Sequence, residues 1–285
     1  MQTVRSGGEQ VKSNNAPNSP GPLAVSIRSL TKTFRARSGA SLTALQNVSL
    51  DIRQGDFVSI VGLSGCGKST LLNMTCGLVR PSSGVIFVEG SEMVTPRPAT
   101  IGYIQQDPVL LPWRTVWKNI LLPMEVRRLK AERTELETRA RELLAAVDLE
   151  RFADSYPREL SGGMQQRVAL VRTLAYAPHI ILMDEPFGAL DEFTREAMNV
   201  ELLALWKSAL PTVMFVTHSI PEAVFLSDRV IVMSARPGQI AADVRIDLPR
   251  PRQPGLAGSS EFNDHVQRVR KFLISPATHY ELEAQ

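Results

Sequence analysis

A chain of 285 residues, 44% of them hydrophobic, has material for one large or two modest domains with a sizeable core. Its 32 basic and 29 acidic residues leave a net charge of +3, too balanced for a nucleic-acid footprint or a polybasic membrane-binding face, so no nucleic-acid partner is expected. The only two cysteines, Cys66 and Cys76, suggest neither a disulfide framework nor a zinc spacing and fit a reducing compartment, and no apolar run approaches the roughly 20 residues that cross a bilayer.

In chain order, residues 1–22 (MQTVRSGGEQVKSNNAPNSPGP) are polar, rich in Ser, Asn, Gly and Pro, and read as a disordered tail. From Leu23 short β-type runs follow: LAVSIRSLTKTF (23–34), TALQNVSLDI (43–52), FVSIVG (57–62) and GVIFVEG (84–90), separated by Gly, Ser and Asp turns. Between 117 and 160 the period becomes helical, with Leu136, Ala140, Leu143, Leu144 and Val147 on one face against Glu and Arg on the other, which predicts an inserted helical lobe over about 117–165. Buried-strand candidates IILMDE (180–185), VMFVTH (213–218) and RVIVMSA (229–235) then alternate with helical segments, the pattern of a mainly parallel α/β sheet. After about 250, PRPRQPGLAGSS reads as a loop and EFNDHVQRVRKFLI (261–274) as a helix, so 251–285 is set apart as a C-terminal extension.

GLSGCGKST (62–70) follows an apolar strand and precedes an apolar helix, which gives the G-x-x-x-x-G-K-[ST] phosphate loop in the setting that it requires. Gly62, Gly65 and Gly67 let backbone N–H groups turn inward as an anion nest at a helix N-terminus, with Leu63, Ser64, Cys66 and Thr70 completing the loop. Lys68 is expected to reach β- and γ-phosphates as a point charge, and the Ser69 hydroxyl to ligate Mg²⁺. Cys66 reads as a small loop residue whose place near a helix N-terminus would lower its thiol pKa.

IILMDEP (180–186) is an apolar strand ending in two acids, the second nucleotide-site element of phosphate-loop NTPases. Asp184 is placed on Mg²⁺, and Glu185 as the carboxylate that polarises the attacking water. His218 ends a third apolar strand. Alone it would more often be structural, but parallel strand ends converge on one crevice, which makes it a candidate γ-phosphate sensor. LSGGMQQR (160–167) sets paired glycines ahead of a helix, the mark of a turn or of a backbone that something approaches closely.

The ordered set GLSGCGKST, LSGGMQQR, ILMDEPFGALD and VTHS resembles the ATP-binding-cassette ATPase family over about residues 23–250. The resemblance implies a phosphate-loop α/β fold with an N-terminal antiparallel β subdomain and an inserted α-helical subdomain. It makes Ser161, Gly162 and Gly163 the signature residues, Asp191 the D-loop aspartate, His218 the switch histidine and Gln106 the Q-loop glutamine that also serves Mg²⁺. Gln105 stands where the family has an aromatic, so either glutamine can be the switch. Phe34 falls where the family stacks an aromatic on adenine, its alternative being a buried core aromatic. LLPWRTVWKNI (110–120) and MSARPGQIAADVRIDLPRPR (233–252) resemble the importer ATPases for nitrate, sulfonates, taurine and pyrimidine precursors.

For this chain the family implies ATP and Mg²⁺, a head-to-tail dimer in which each signature caps the ATP on the opposite phosphate loop, and a peripheral place at the cytoplasmic face of the inner membrane. It also implies integral permease subunits that meet Leu110, Leu111, Pro112 and Trp113, and indirectly a periplasmic or surface solute-binding protein. Trp113 has a second reading as a buried anchor of the lobe. An exporter, a non-transport cassette protein and a small-molecule kinase are the competing functions; the last explains the phosphate loop but not LSGGMQQR.

Overall fold

The computed structural model describes residues 21–35, 39–127 and 133–273. Residues 1–20 of the expected tail and 274–285 of the extension lie outside the described residues.

Two sheets organise the chain. Strands β1 (Leu23–Arg35), β2 (Ser41–Arg53), β4 (Ser83–Val88) and β5 (Ser91–Glu92) form an antiparallel sheet in the order β2-β1-β4-β5. The second sheet runs β10-β9-β3-β8-β7-β6, built from β3 (Phe57–Val61), β6 (Ile101–Ile104), β7 (Ile180–Asp184), β8 (Thr212–Thr217), β9 (Arg229–Met233) and β10 (Ile240–Arg245). All its pairings are parallel except that of β9 with β10. The near-continuous apolar runs of β3, β7 and β8 follow from this arrangement, because a central parallel strand is covered on both faces.

Alternate residues of those strands enter two cores. Phe57, Val61, Ile181, Met183, Val213 and Phe215 face one cluster together with the helical lobe, α6 (Glu192–Ala209) and the final helix α8 (Ser260–Leu273). Val58, Ile60, Leu182, Met214 and Val216 face the other, with α1 (Lys68–Thr75) and the antiparallel sheet. The period of two along each strand divides one run of sequence between two layers.

The helical lobe expected from residue 117 begins at α2 (Val116–Ile120), which Thr115 caps by accepting from the Lys118 amide, and continues as α3 (Leu122–Val126) and α4 (Arg133–Ala146). Leu136, Ala140, Leu143, Leu144 and Val147 are all buried, as their spacing predicts. The lobe hands over to α5 (Gly162–Ala175), and α7 (Ile220–Leu226) follows β8. Strands β6 and β10 lie outside the sequence expectation. The first has only four residues, and the second alternates at a sheet edge with two alanines, so neither carries a strong apolar run. The C-terminal helix was expected from 261 and starts at Ser260.

Candidate active site

Because β3, β8 and β7 are adjacent and parallel, their carboxyl ends open onto one edge, and each delivers one polar segment there: the loop 62–67, the pair Asp184–Glu185, and His218. In the loop Gly65 and Gly67 have φ of +77° and +104°, a region that costs a side chain strain. A Cβ on Gly62 would stand 2.8 Å from Cys66 Sγ and 3.1 Å from the Met233 carbonyl. Gly67 is the N-cap of α1, with no side-chain cap bond and no acid in the first turn. Among the described residues the amides of Gly65, Gly67 and Ser69 donate to no protein acceptor. Orphan donors at a helix start form a cradle for an anion. Leu63, Ser64, Gly65 and Ser69 are exposed, whereas Cys66 and Lys68 are buried.

Lys68 Nζ donates to the carbonyls of Gly62 (2.9 Å) and Leu63 (3.1 Å) and lies 3.9 Å from Glu185 Oε1. Ser69 Oγ donates to Asp184 Oδ1 at 2.9 Å, and Tyr103 Oη donates to Asp184 Oδ2 at 3.4 Å. Burial raises the Asp184 carboxyl above its ordinary value; the Ser69 bond lowers it and the Glu185 charge raises it further. A half-buried carboxylate beside a hydroxyl is an oxygen donor set of the kind that hard cations take, so the residues present fit Mg²⁺.

Glu185 has φ of +46°, uncommon for a residue with a side chain, and its amide is tied to the Val216 carbonyl at 2.9 Å. Such held strain belongs to sites that must aim a side chain. The strained backbone presents Oε2 to His218 Nδ1 at 2.9 Å. Gln106 is exposed, and its Nε2 lies 3.4 Å from where a Cβ on Gly188 would be, beside the Glu185 carbonyl. The Gln105 carbonyl instead accepts from Gln166 at 3.5 Å on the lobe side. Phe34 is exposed with Lys32 Nζ 5.0 Å above its ring, so the core-aromatic alternative does not hold.

The remaining expected residues form a second, separate group. Ser161 caps α5 by accepting from the Met164 amide at 3.3 Å. A Cβ on Gly163 would touch Thr194 Cγ2 at 3.1 Å, and Thr194 Oγ1 donates to Asp191 Oδ2 at 2.7 Å. Asp191 caps α6 through the Thr194 amide, and these hydrogen bonds hold its carboxyl below the usual range. Among the described residues no hydrogen bond or ion pair joins Ser161–Gly163 to the phosphate loop of the same chain.

One expectation fails. The thiol of Cys66 is raised, not lowered, because it is turned inward and desolvated, and that outweighs the opposing pull of Lys68. Sequence reasoning also missed the wall behind the loop. Arg236 donates from Nε (3.1 Å) and Nη2 (2.8 Å) to the Gly65 carbonyl, and a Cβ on Gly238 would fall 2.0 Å from the Cys66 carbonyl. The segment SARPG carried a resemblance, but nothing in its composition points at a loop some 170 residues away in sequence.

A family model described as ABC transporter matches residues 45–188, which contain the phosphate loop, the signature and the Asp184–Glu185 pair. The chain belongs to the ABC transporter family. It is 47% identical over 247 residues to the taurine import ATP-binding protein TauB of Rhizobium johnstonii, covering 85% of this chain and 93% of that one. It is 39% identical over 252 residues to the aliphatic sulfonates import ATP-binding protein SsuB of Bacillus cereus, covering 88% and 95%. A dimeric ATP-binding cassette solved in a post-hydrolysis state with ADP and Pi superposes with a TM-score of 0.69 at 35% identity, over 79% of this chain and all of that one. As an ABC ATPase the chain binds and hydrolyses ATP, which sets aside the small-molecule kinase reading.

Proposed function

We propose that this ABC ATPase energises an importer for a small anionic or zwitterionic solute, with aliphatic sulfonates and taurine the first candidates, ahead of nitrate and pyrimidine precursors. The identity to taurine and sulfonate import ATP-binding proteins along nearly their full length carries this reading.

In the mechanism, the loop 62–70 cradles the ATP phosphates on its free amides and Lys68 supplies a buried positive charge. Ser69 and Asp184 would hold Mg²⁺, with Gln106 the further ligand that the family resemblance implies, and the ion would neutralise phosphate charge. Glu185 orients and polarises the attacking water, and His218 holds the Glu185 carboxylate while facing the γ-phosphate. Phe34 offers an exposed ring to adenine.

A second copy completes the site. A Cβ on Gly162 would meet nothing within 4 Å and φ there is not positive, so nothing in its own chain requires glycine at that helix start. A bare backbone suits the close approach of the γ-phosphate bound to a partner's loop. ATP thus holds two chains together, and hydrolysis releases them.

The permease contact falls on Leu110, Leu111, Pro112 and Trp113; Trp113 is 71% exposed, which removes its alternative role as a buried anchor. Among the described residues no helix is long and apolar enough to cross a membrane. In this reading the permease holds the chain at the cytoplasmic face. A solute-binding protein acts on the far side. The test is reconstitution of the chain with its co-purifying permease and binding protein: taurine or an alkanesulfonate stimulates ATP turnover if the reading is right. Stimulation by neither, with another solute active, overturns the solute class.

A further inference from the structure

Helix α7 has only seven residues, and its amino end is the turn that carries His218. Three hydrogen bonds bracket that turn. Thr217 Oγ1 donates to Glu222 Oε2, the Ser219 amide donates to Thr217 Oγ1 at 3.0 Å, and the Glu222 amide donates to Ser219 Oγ at 3.4 Å. Ala223, Val224, Phe225 and Leu226 are buried, so the helix moves as one body with its turn.

The other end of α7 is gripped by two arginines that flank the start of the C-terminal extension, Arg250 and Arg252. Arg252 is 5% exposed, and its Nη1 donates to the carbonyls of Val224 (3.1 Å), Phe225 (2.9 Å) and Ser227 (2.8 Å), while Nη2 reaches the Leu248 carbonyl at 3.3 Å. Arg250 Nη2 donates to the Leu226 carbonyl at 2.7 Å, its Nε bonds Asp228 at 2.9 Å, and its guanidinium stacks 4.3 Å from the Trp206 ring. Those of Val224, Phe225 and Leu226 are among the carbonyls that a helix end leaves without partners. A buried cation there is costly unless it is well bonded, and burial together with the Arg250 charge brings Arg252 down to about 10, still charged at neutral pH. Without the guanidinium these buried carbonyls would lose their donor, so Arg252 holds the end of α7 in one geometry.

We propose that Arg252 is a positioning residue for His218: by fixing the carboxyl end of α7 it sets the register of the turn that aims the imidazole at Glu185. The proposal rests on the role assigned to His218 under the proposed function.

The test is a double-mutant cycle in the full-length chain, with steady-state ATPase measured for wild type, Arg252→Gln, His218→Ala and the double variant, and thermal unfolding recorded for each. Arg252→Gln is expected to lower kcat roughly tenfold at unchanged KM for ATP, and to cost less than about twofold once His218 is already alanine. Equal losses in both backgrounds, or a lowered Tm with unchanged kcat, overturn the proposal. If His218→Ala alone retains wild-type kcat, the role of the histidine fails first. Should Arg252→Gln fail to fold, Arg252→Lys, which keeps the charge and loses the fork, takes its place in the cycle.

Discussion

Oε2 of Glu185 lies 2.9 Å from Nδ1 of His218, across the carboxyl ends of two adjacent parallel strands, and the strained backbone of Glu185 is what turns its carboxylate toward the ring. Two groups that act as a unit lose activity together. Glu185→Gln is expected to reduce kcat by about 10²–10⁴-fold with little change in ATP affinity, His218→Ala to act in the same direction, and the double variant to be no worse than the poorer single one. Single-turnover hydrolysis beside nucleotide binding measures this; losses that multiply would separate the two roles.

Asp184 predicts opposite effects on activity and stability. Its carboxyl is raised from 3.8 by burial, so the folded chain binds the proton more tightly than the unfolded chain, and stability falls as pH rises through that window. Asp184→Asn should therefore raise the Tm of the nucleotide-free protein at neutral pH, with the difference closing below the ordinary carboxylate range. Mg²⁺-dependent turnover should drop roughly 100-fold or more. Calorimetry across pH and a Mg²⁺ titration of ATPase check the two halves.

Gly162 separates folding from assembly. With open space around it and an ordinary helical backbone, Gly162→Ala should leave the isolated chain as stable or stabilise it by at most about 1 kcal/mol, while ATP turnover falls at least roughly tenfold. Gly163→Ala, whose Cβ meets Thr194 at 3.1 Å, should cost stability as well. Chemical denaturation and ATPase on the same preparations distinguish a partner-facing glycine from a structural one.

Gly238→Ala tests the wall behind the phosphate loop. A methyl group 2.0 Å from the Cys66 carbonyl cannot be accommodated without moving the loop, so at least about 2 kcal/mol of stability and most ATP binding should be lost. Wild-type Cys66, with its thiol raised by burial, should resist iodoacetamide at neutral pH until the protein unfolds. Wild-type nucleotide affinity in Gly238→Ala would contradict this account.

What was legible in the chain followed its physical signal. The phosphate loop, Asp184 and Glu185 announce themselves because their chemistry demands particular residues at the ends of long apolar strands, and the lobe residues Leu136 to Val147 because one buried face leaves a period. Strand β6 is short and β10 is an edge strand with little apolar content, so both escaped pattern reading. The inward thiol of Cys66, the support from Arg236 and Gly238, and the grip of Arg252 on α7 are contacts between distant segments, and no local spacing encodes them. The separation of Ser161–Gly163 from the phosphate loop of the same chain likewise emerges only once the sheet places each element.

If one chain holds half of each site, sedimentation of Glu185→Gln with and without Mg²⁺-ATP will show it. Glu185→Gln should be a monomer without nucleotide and a dimer with it, and should form no dimer with ATP when Gly162→Ala is added. A Glu185→Gln chain that stays monomeric at saturating ATP, or a strictly monomeric wild type that turns ATP over as fast as the assembled transporter, would contradict it.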